Sequence, residues 1–179
     1  MNPRIITGTA KNKKLKVPES ARPITDRIKQ SVFDTLGERI KDAKVLDLFA
    51  GSGSIGIEAL SRGAAEVTFV DDNYDAVGTL KDNLINTKFT TAGKVFRKDS
   101  GDFLKEARET FDLIFADPPF PTMHEFPVHL LLKVMTPESL TIFRKPAKAV
   151  DPQMPTSLEV IYRQTYGESE VLYMQRKVQ

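Results

Sequence analysis

The feature of this 179-residue chain that most limits its fold is a repeated switch of hydrophobic period. Short apolar runs at residues 45–50, 66–71, 94–97, 111–116 and 140–143 read as buried strands. Between them, apolar residues recur at helical spacing: Ile55, Ile57, Ala59 and Leu60; then Ala76, Val77, Leu80, Leu84 and Ile85; then 103–107; then Val128, Leu131, Leu132 and Met135. Such alternation predicts a parallel sheet with helices on both faces. The run 111–116 is nearly all apolar, so it belongs near the centre of that sheet. The period changes after Arg144. Residues 145–156 hold Pro146, Pro152 and Pro155 with no helical pattern, which predicts a loop. Residues 158–166 and 170–175 flank Gly167 and read as an antiparallel pair of strands, completing a mostly parallel sheet of seven.

The first forty residues differ in kind. Residues 4–7 and 15–18 suit two short strands, the second stopped by Pro18, in a small hairpin bearing Lys11, Lys13 and Lys14 near its tip. From Thr25 onward, Ile28, Val32, Phe33, Leu36 and Ile40 fall at helical spacing, with Thr25 or Asp26 as the cap. The division expected is a basic hairpin-and-helix extension over 1–40 and a main α/β domain over 41–179, together one globular unit. The overall net charge of +2 hides an excess of six basic groups in residues 1–29. A basic arm on a mildly acidic body suits a polyanion docking at one end, though a solvated basic segment looks the same in sequence.

The chain has no cysteine, so a disulfide framework and a cysteine zinc site are excluded. Its two histidines, His124 and His129, do not share a helix face and point to surface or structural roles, with no metal expected. No apolar run reaches the ~20 residues of a bilayer span, and no signal-peptide core opens the chain. A cytoplasmic protein, taken as a monomer, is expected.

Ligands of open parallel sheets sit outside the carboxyl ends of the strands. Each of four predicted strand ends carries a polar feature. The first runs Asp47-Leu48-Phe49-Ala50-Gly51-Ser52-Gly53 into a helix. Glycines let the backbone turn sharply and let a ligand come close, and the helix start offers free N–H groups. Alone, this is also how an ordinary strand-to-helix turn looks. The second end is Asp71-Asp72, with Asp71 placed 24 residues after Asp47, where a carboxylate can accept from both ribose hydroxyls. The third is Asp99-Ser100, where a carboxylate can accept from an adenine amine or simply cap a helix. The fourth, Asp117-Pro118-Pro119-Phe120, is the most specific. Two prolines stiffen the turn and remove two N–H donors. The carboxylate of Asp117 and the carbonyl of Pro118 can accept from one planar amine while Phe120 stacks on its ring, a pocket for a nucleobase amine taken out of its stack. A rigid loop with Phe120 in the core is the plain alternative. No nucleophile set is evident, which fits a reaction that needs orientation more than proton chemistry.

The segment from Asp47 to Gly63, together with Asp117-Pro118-Pro119-Phe120, resembles the class I S-adenosylmethionine-dependent amino-methyltransferases, which have a Rossmann-like fold. The start Arg4-Ile5-Ile6-Thr7-Gly8, the segment from Arg22 to Phe33, and the closing stretch 166–173 are similar to the RsmD family of bacterial 16S rRNA guanine-N2 methyltransferases. The resemblance covers residue 4 to about 177, and the segment beginning Arg22-Pro23-Ile24-Thr25-Asp26-Arg27 is its more discriminating part. It implies that Asp47, Phe49, Gly51, Ser52 and Gly53 line the methionine part of the cofactor, with help from Thr25. Asp71 and Asp72 would take the ribose, and Asp99 and Ser100 the adenine. Asp117, Pro118, Pro119 and Phe120 would hold the guanine. Lys11, Lys13, Lys14, Arg22, Arg27 and Lys29 would face ribosomal RNA or a small-subunit particle. One departure concerns the fifth strand, which in the family often ends in an acidic residue. Here Phe143 is followed by Arg144-Lys145-Pro146, and the loop beyond lacks a familiar pattern. Transfer to adenine N6 or to glutamine, a nicotinamide-linked oxidoreductase and a non-catalytic RNA-binding module are the rival expectations.

Overall fold

The computed structural model describes residues 3–18 and 24–177. Helix α1 spans Asp26–Leu36 and is capped by Thr25, whose side chain accepts from the Ile28 N–H at 3.4 Å. Ile28, Val32, Phe33 and Leu36 form its buried stripe, and Gly37 ends it with φ of 52°. Then come β1 (Lys44–Leu48), α2 (Ser54–Ser61), β2 (Glu66–Asp71), α3 (Tyr74–Thr87), β3 (Gly93–Arg97), α4 (Ser100–Glu106) and β4 (Phe111–Ala116). The chain closes with β5 (Met135–Pro146), β6 (Leu158–Tyr166) and β7 (Ser169–Arg176).

The seven strands make one sheet in the order β3-β2-β1-β4-β5-β7-β6. Pairings from β3 through β5 are parallel, and β7 joins β5 and β6 antiparallel. The expected mostly parallel sheet with a closing antiparallel pair is therefore borne out, and β4 is its middle strand. Strand order reverses between β1 and β4, because β1 leads outward to β2 on one side while β4 lies on the other. That is the place where open sheets bind ligands.

Alternation along the strands divides the core into two layers. Val45, Leu113, Phe115, Ile142 and Tyr173 pack with α1, α2 and α3 on one face. Leu46, Leu48, Ile114, Ala116, Phe143 and Leu172 pack on the other face with α4 and the segment after β4. The period of two puts Asp47 on the α1 and α2 face, among apolar neighbours.

Three local expectations need correction. The helix expected around 128–135 is replaced by 3-10 turns at Phe120–Glu125 and Val128–Lys133, and Met135 opens β5 instead. Backbone bonds there close at three residues, as from the Leu130 N–H to the Pro127 carbonyl and from the Val134 N–H to the Leu131 carbonyl, and β5 already begins at Met135. Second, β5 continues through Lys145 and Pro146, which pair with Glu170 and Ser169, so the loop starts later than expected. Third, the N-terminal hairpin is a single bridge between Arg4 and Lys14 with flanking backbone bonds, not a ladder of strands. It is nevertheless anchored. Ile5 and Leu15 are buried in the core, and Gly8, at φ of 88°, lies so close to Ser61 that a Cβ would meet the Ser61 carbonyl oxygen at 1.7 Å. Glu58 accepts from the N–H groups of Ile6 and Thr7, and Ser61 Oγ accepts from that of Ala10.

Candidate active site

A cleft of about 770 Å³ opens at the carboxyl ends of β1, β2, β4 and β5, within the range of small-molecule sites. The turn after β1 forms its floor. Phe49 takes a positive φ of 61° and Gly51 one of 56°, so the chain reverses within three residues. The Gly51 N–H donates to Asp71 Oδ2 at 2.8 Å, tying this turn to the end of β2. The carbonyl of Ser52 accepts from Asn83 Nδ2 at 2.9 Å, and the same side chain pairs with the backbone of Lys16. Asn83 therefore braces the turn against the N-terminal arm, a role with no signal in the sequence.

The two glycines of the turn serve different ends. A Cβ on Gly51 would meet no protein atom within 4 Å, and Gly51 lines the cleft. A Cβ on Gly53, at φ of 79°, would lie 2.2 Å from Leu80 Cδ1. Gly53 is thus needed for α2 to pack against α3.

Carboxylates dominate the cleft. Asp47 is 3% exposed and accepts from the Gly56 N–H at 3.0 Å. Burial pushes its pKa up to about 8, with repulsion from Asp117 and Asp71 adding and the Gly56 bond opposing. Burial also raises that of Asp71, against bonds from the N–H groups of Asn73 and Gly51. Asp72 is exposed beside it and lines the same cleft.

At the end of β4, Asp117, Pro118, Pro119 and Phe120 all border the cleft. Asp117 Oδ1 accepts from Arg144 Nε at 2.7 Å. Burial raises the Asp117 pKa, while the charge and hydrogen bond of Arg144 work against that rise. Phe120 is 36% exposed at the rim and not buried in the core. Ile142, Arg144, Glu168 and Val171 complete this end, with Ile24 and Val32 from the α1 side. Arg144 stands out in sequence only as a departure at the end of the fifth strand. Glu168 and Val171 reach the cleft because β7 inserts beside β5.

Other residues singled out in sequence stand elsewhere. Asp99 caps α4, accepting from the Asp102 N–H at 3.0 Å, and Ser100 is buried in that helix's first turn. Asp99 borders a smaller adjoining cavity of about 290 Å³ with Phe49, Pro118 and Phe126. Thr25 is occupied in capping α1. Lys11, Lys13, Lys14 and Arg27 are exposed, and Arg22 lies outside the described residues. Lys29 cannot face RNA, contrary to expectation. It is fully buried, donates to the Arg4 carbonyl at 2.6 Å and to Ser54 Oγ at 3.1 Å, and lies 3.7 Å from Glu58. Burial lowers its pKa, with Glu58 and Asp26 pulling the other way. Among the described residues no group of acidic or histidine side chains is arranged to hold a metal ion.

The family model "Conserved hypothetical protein 95" matches residues 3–175. The chain belongs to this family. Its relatives agree with the resemblance to the RsmD family seen in the motifs. "Putative rRNA methyltransferase YlbH" of Bacillus subtilis is 44% identical over 122 residues, covering 65% of this chain and 66% of that protein. "Ribosomal RNA small subunit methyltransferase D" of Haemophilus influenzae is 43% identical over 122 residues, covering 65% and 63%. The matched part thus spans just under two thirds of these relatives. Among solved structures, "Putative methyltransferase yhhF" from Escherichia coli superposes with a TM-score of 0.89 at 31% identity, over the full length of both chains. The fold is that of the class I methyltransferases.

Proposed function

We propose that this protein transfers the methyl group of S-adenosylmethionine to the exocyclic N2 amine of a guanine in small-subunit (16S) ribosomal RNA. One observation carries the reading: the Asp117-Pro118-Pro119-Phe120 turn and the Gly51 turn border a single cleft at the sheet's switch point. The names of the relatives support it, since both curated ones are called rRNA methyltransferases.

The charge of the cleft fits the donor. Asp71, Asp72 and Glu168 line it beside the Asp117–Arg144 pair, and Arg144 is the one cation among its described lining residues. A pyrophosphate would be repelled there, whereas a ligand with a sulfonium and an ammonium group is attracted. Asp47, Phe49, Gly51 and Ser52 would surround the methionine part, with Gly53 shaping the turn. Asp71 and Asp72 would receive the ribose hydroxyls. The cavity bordered by Asp99 would take the adenine, with Ser100 buried in the helix turn next to it. When bound, S-adenosylmethionine supplies a methyl group made electrophilic by its sulfonium sulfur.

The chain's own work lies at the amine. A guanine amine is a weak nucleophile because its lone pair is shared with the ring. Asp117 and the Pro118 carbonyl would accept its two hydrogens and turn the lone pair toward the methyl group. Phe120 would stack on the base, and Pro119 would keep this turn stiff. Orientation of this kind supplies up to ~7–11 kcal/mol of a barrier. The amine gains a carbon and gives up one proton, to Asp117 or to water. Lys11, Lys13, Lys14 and Arg27, exposed on the arm and α1, would meet phosphates. The setting that fits such a substrate is the cytoplasm, with the protein acting as a monomer.

Incubation with labelled S-adenosylmethionine and either naked rRNA or small-subunit particles tests the proposal. Label mapped to N2 of guanine is expected. Label on N6 of adenine, or on protein alone, contradicts it.

A further inference from the structure

Arg144 has no role in the chemistry just described, yet it touches two of its parts. In the β4–β5 register Ala116 faces Phe143, so Asp117 and Arg144 emerge side by side from adjacent parallel strands. Arg144 Nε donates to Asp117 Oδ1 at 2.7 Å. The same guanidinium lies over the Phe120 ring, 5.1 Å from its centroid. Its Nη1 reaches Ser169 Oγ on β7 at 3.4 Å. A guanidinium can make all three contacts together, because its edge donates hydrogen bonds while its face stacks.

We infer that Arg144 is a positioning residue that locks the Asp117 carboxylate and the Phe120 ring into one unit at the acceptor end of the cleft. The inference rests on the methyl-transfer reading for its consequence on turnover. Without Arg144, the prolines still fix the backbone of the turn, but the torsions of Asp117 and Phe120 are left free. Phe120 stands at the rim, more than a third exposed, with the guanidinium of Arg144 over its ring. The other titratable groups lining the cleft of Asp117 are acidic: Asp47 from β1, Asp71 and Asp72 from the end of β2, and Glu168 from the β6–β7 turn. Arg144 therefore also favours the ionised form of Asp117, the form that accepts from an amine, against the burial that raises its pKa.

Arg144→Gln and Arg144→Lys test this. Arg144→Gln is expected to lower kcat for RNA methylation about 100-fold, the loss that follows a displaced reacting group. The Kd for S-adenosylhomocysteine, measured by calorimetry, should stay as in the wild type. The acid limb of the kcat/KM profile should move to higher pH, because Asp117 loses its cation. Arg144→Lys should restore the limb and only part of the rate, since an ammonium carries the charge but not the planar stack. Titration of the Asp117 carboxyl by 13C NMR reads the same coupling without substrate and should shift upward in Arg144→Gln. Unchanged kcat, an unmoved carboxyl titration, or an equal loss of cofactor binding overturns the inference. A wild type that transfers no methyl while the carboxyl shift persists leaves the Arg144–Asp117 unit standing and refutes the transfer reading instead.

Discussion

Alanine at Gly51 and at Gly53 should produce opposite defects, although the two residues are neighbours in one turn. Both have positive φ, 56° and 79°, and a left-handed conformation costs an L residue roughly 1–2 kcal/mol. At Gly53 the new methyl would also lie 2.2 Å from Leu80 Cδ1 and 3.2 Å from Ile57 Cδ1, and both must move in a packed layer. Overpacking of that kind adds ~1–3 kcal/mol. Gly53→Ala is therefore expected to lose about 2–5 kcal/mol, from the two costs combined. Gly51→Ala meets no protein atom, so its loss should stay near the backbone cost alone, ~1–2 kcal/mol. Its methyl stands in the cleft wall, and it should weaken S-adenosylhomocysteine binding out of proportion to its stability. Urea unfolding followed by circular dichroism gives the first pair of numbers, and calorimetry of the folded variants the second. Equal destabilisation by the two alanines would refute the division of labour between packing and ligand approach. So would unimpaired cofactor binding by Gly51→Ala.

Further outcomes follow from buried charge and from the arm. Glu58→Ala should cost ~3–5 kcal/mol in urea unfolding, because it strands buried Lys29 and the N–H groups of Ile6 and Thr7. Asp47 has a folded pKa raised to about 8, so the folded state holds a proton that the unfolded state releases near 4. Stability should then fall as pH rises between those values, and Asp47→Asn should flatten that dependence. A cationic ligand prefers the ionised carboxylate, so the affinity for S-adenosylmethionine should rise as pH climbs toward 8, as read by calorimetry at several pH values. Phe120→Ala should weaken productive RNA binding by ~1–3 kcal/mol, the worth of one base stack. Lys13→Ala with Lys14→Ala should weaken RNA binding and flatten its salt dependence by about one unit for each phosphate left without its lysine, as measured by fluorescence anisotropy.

Much of this architecture is legible in the sequence because period is a direct trace of burial. The apolar run at 111–116 reads as a central strand, and β4 lies in the middle of the sheet. Gly167 between two alternating runs reads as a reversal, and it turns β6 into β7 at φ of 58°. The strand-end carboxylates can be placed on one side of the sheet because every strand of a parallel unit ends at the same edge. What escapes is set by neighbours distant in sequence. The span after β4 carries helical spacing, but it forms only 3-10 turns, and its last apolar residue, Met135, is taken by β5, which pairs with β4. Lys29 reads as an RNA contact by its charge, although it sits on the stripe of Val32, Phe33 and Leu36, three, four and seven positions on. That spacing is the available sign that it turns inward, while its partners Glu58, Ser54 and the Arg4 carbonyl are not visible in sequence. Arg144 reads as an anomaly because its meaning depends on register, which alone puts it beside Asp117.

The proposed chemistry turns on the end of β4 and is tested most directly there. Methyl transfer to rRNA by Asp117→Ala should be compared with the wild type under saturating S-adenosylmethionine, with S-adenosylhomocysteine affinity measured alongside. The expected result is a loss of turnover of at least about 100-fold, on the scale of removing a key preorganised group, with cofactor affinity nearly intact. Transfer at the wild-type rate by that variant would contradict the role given to Asp117 and the transfer mechanism with it.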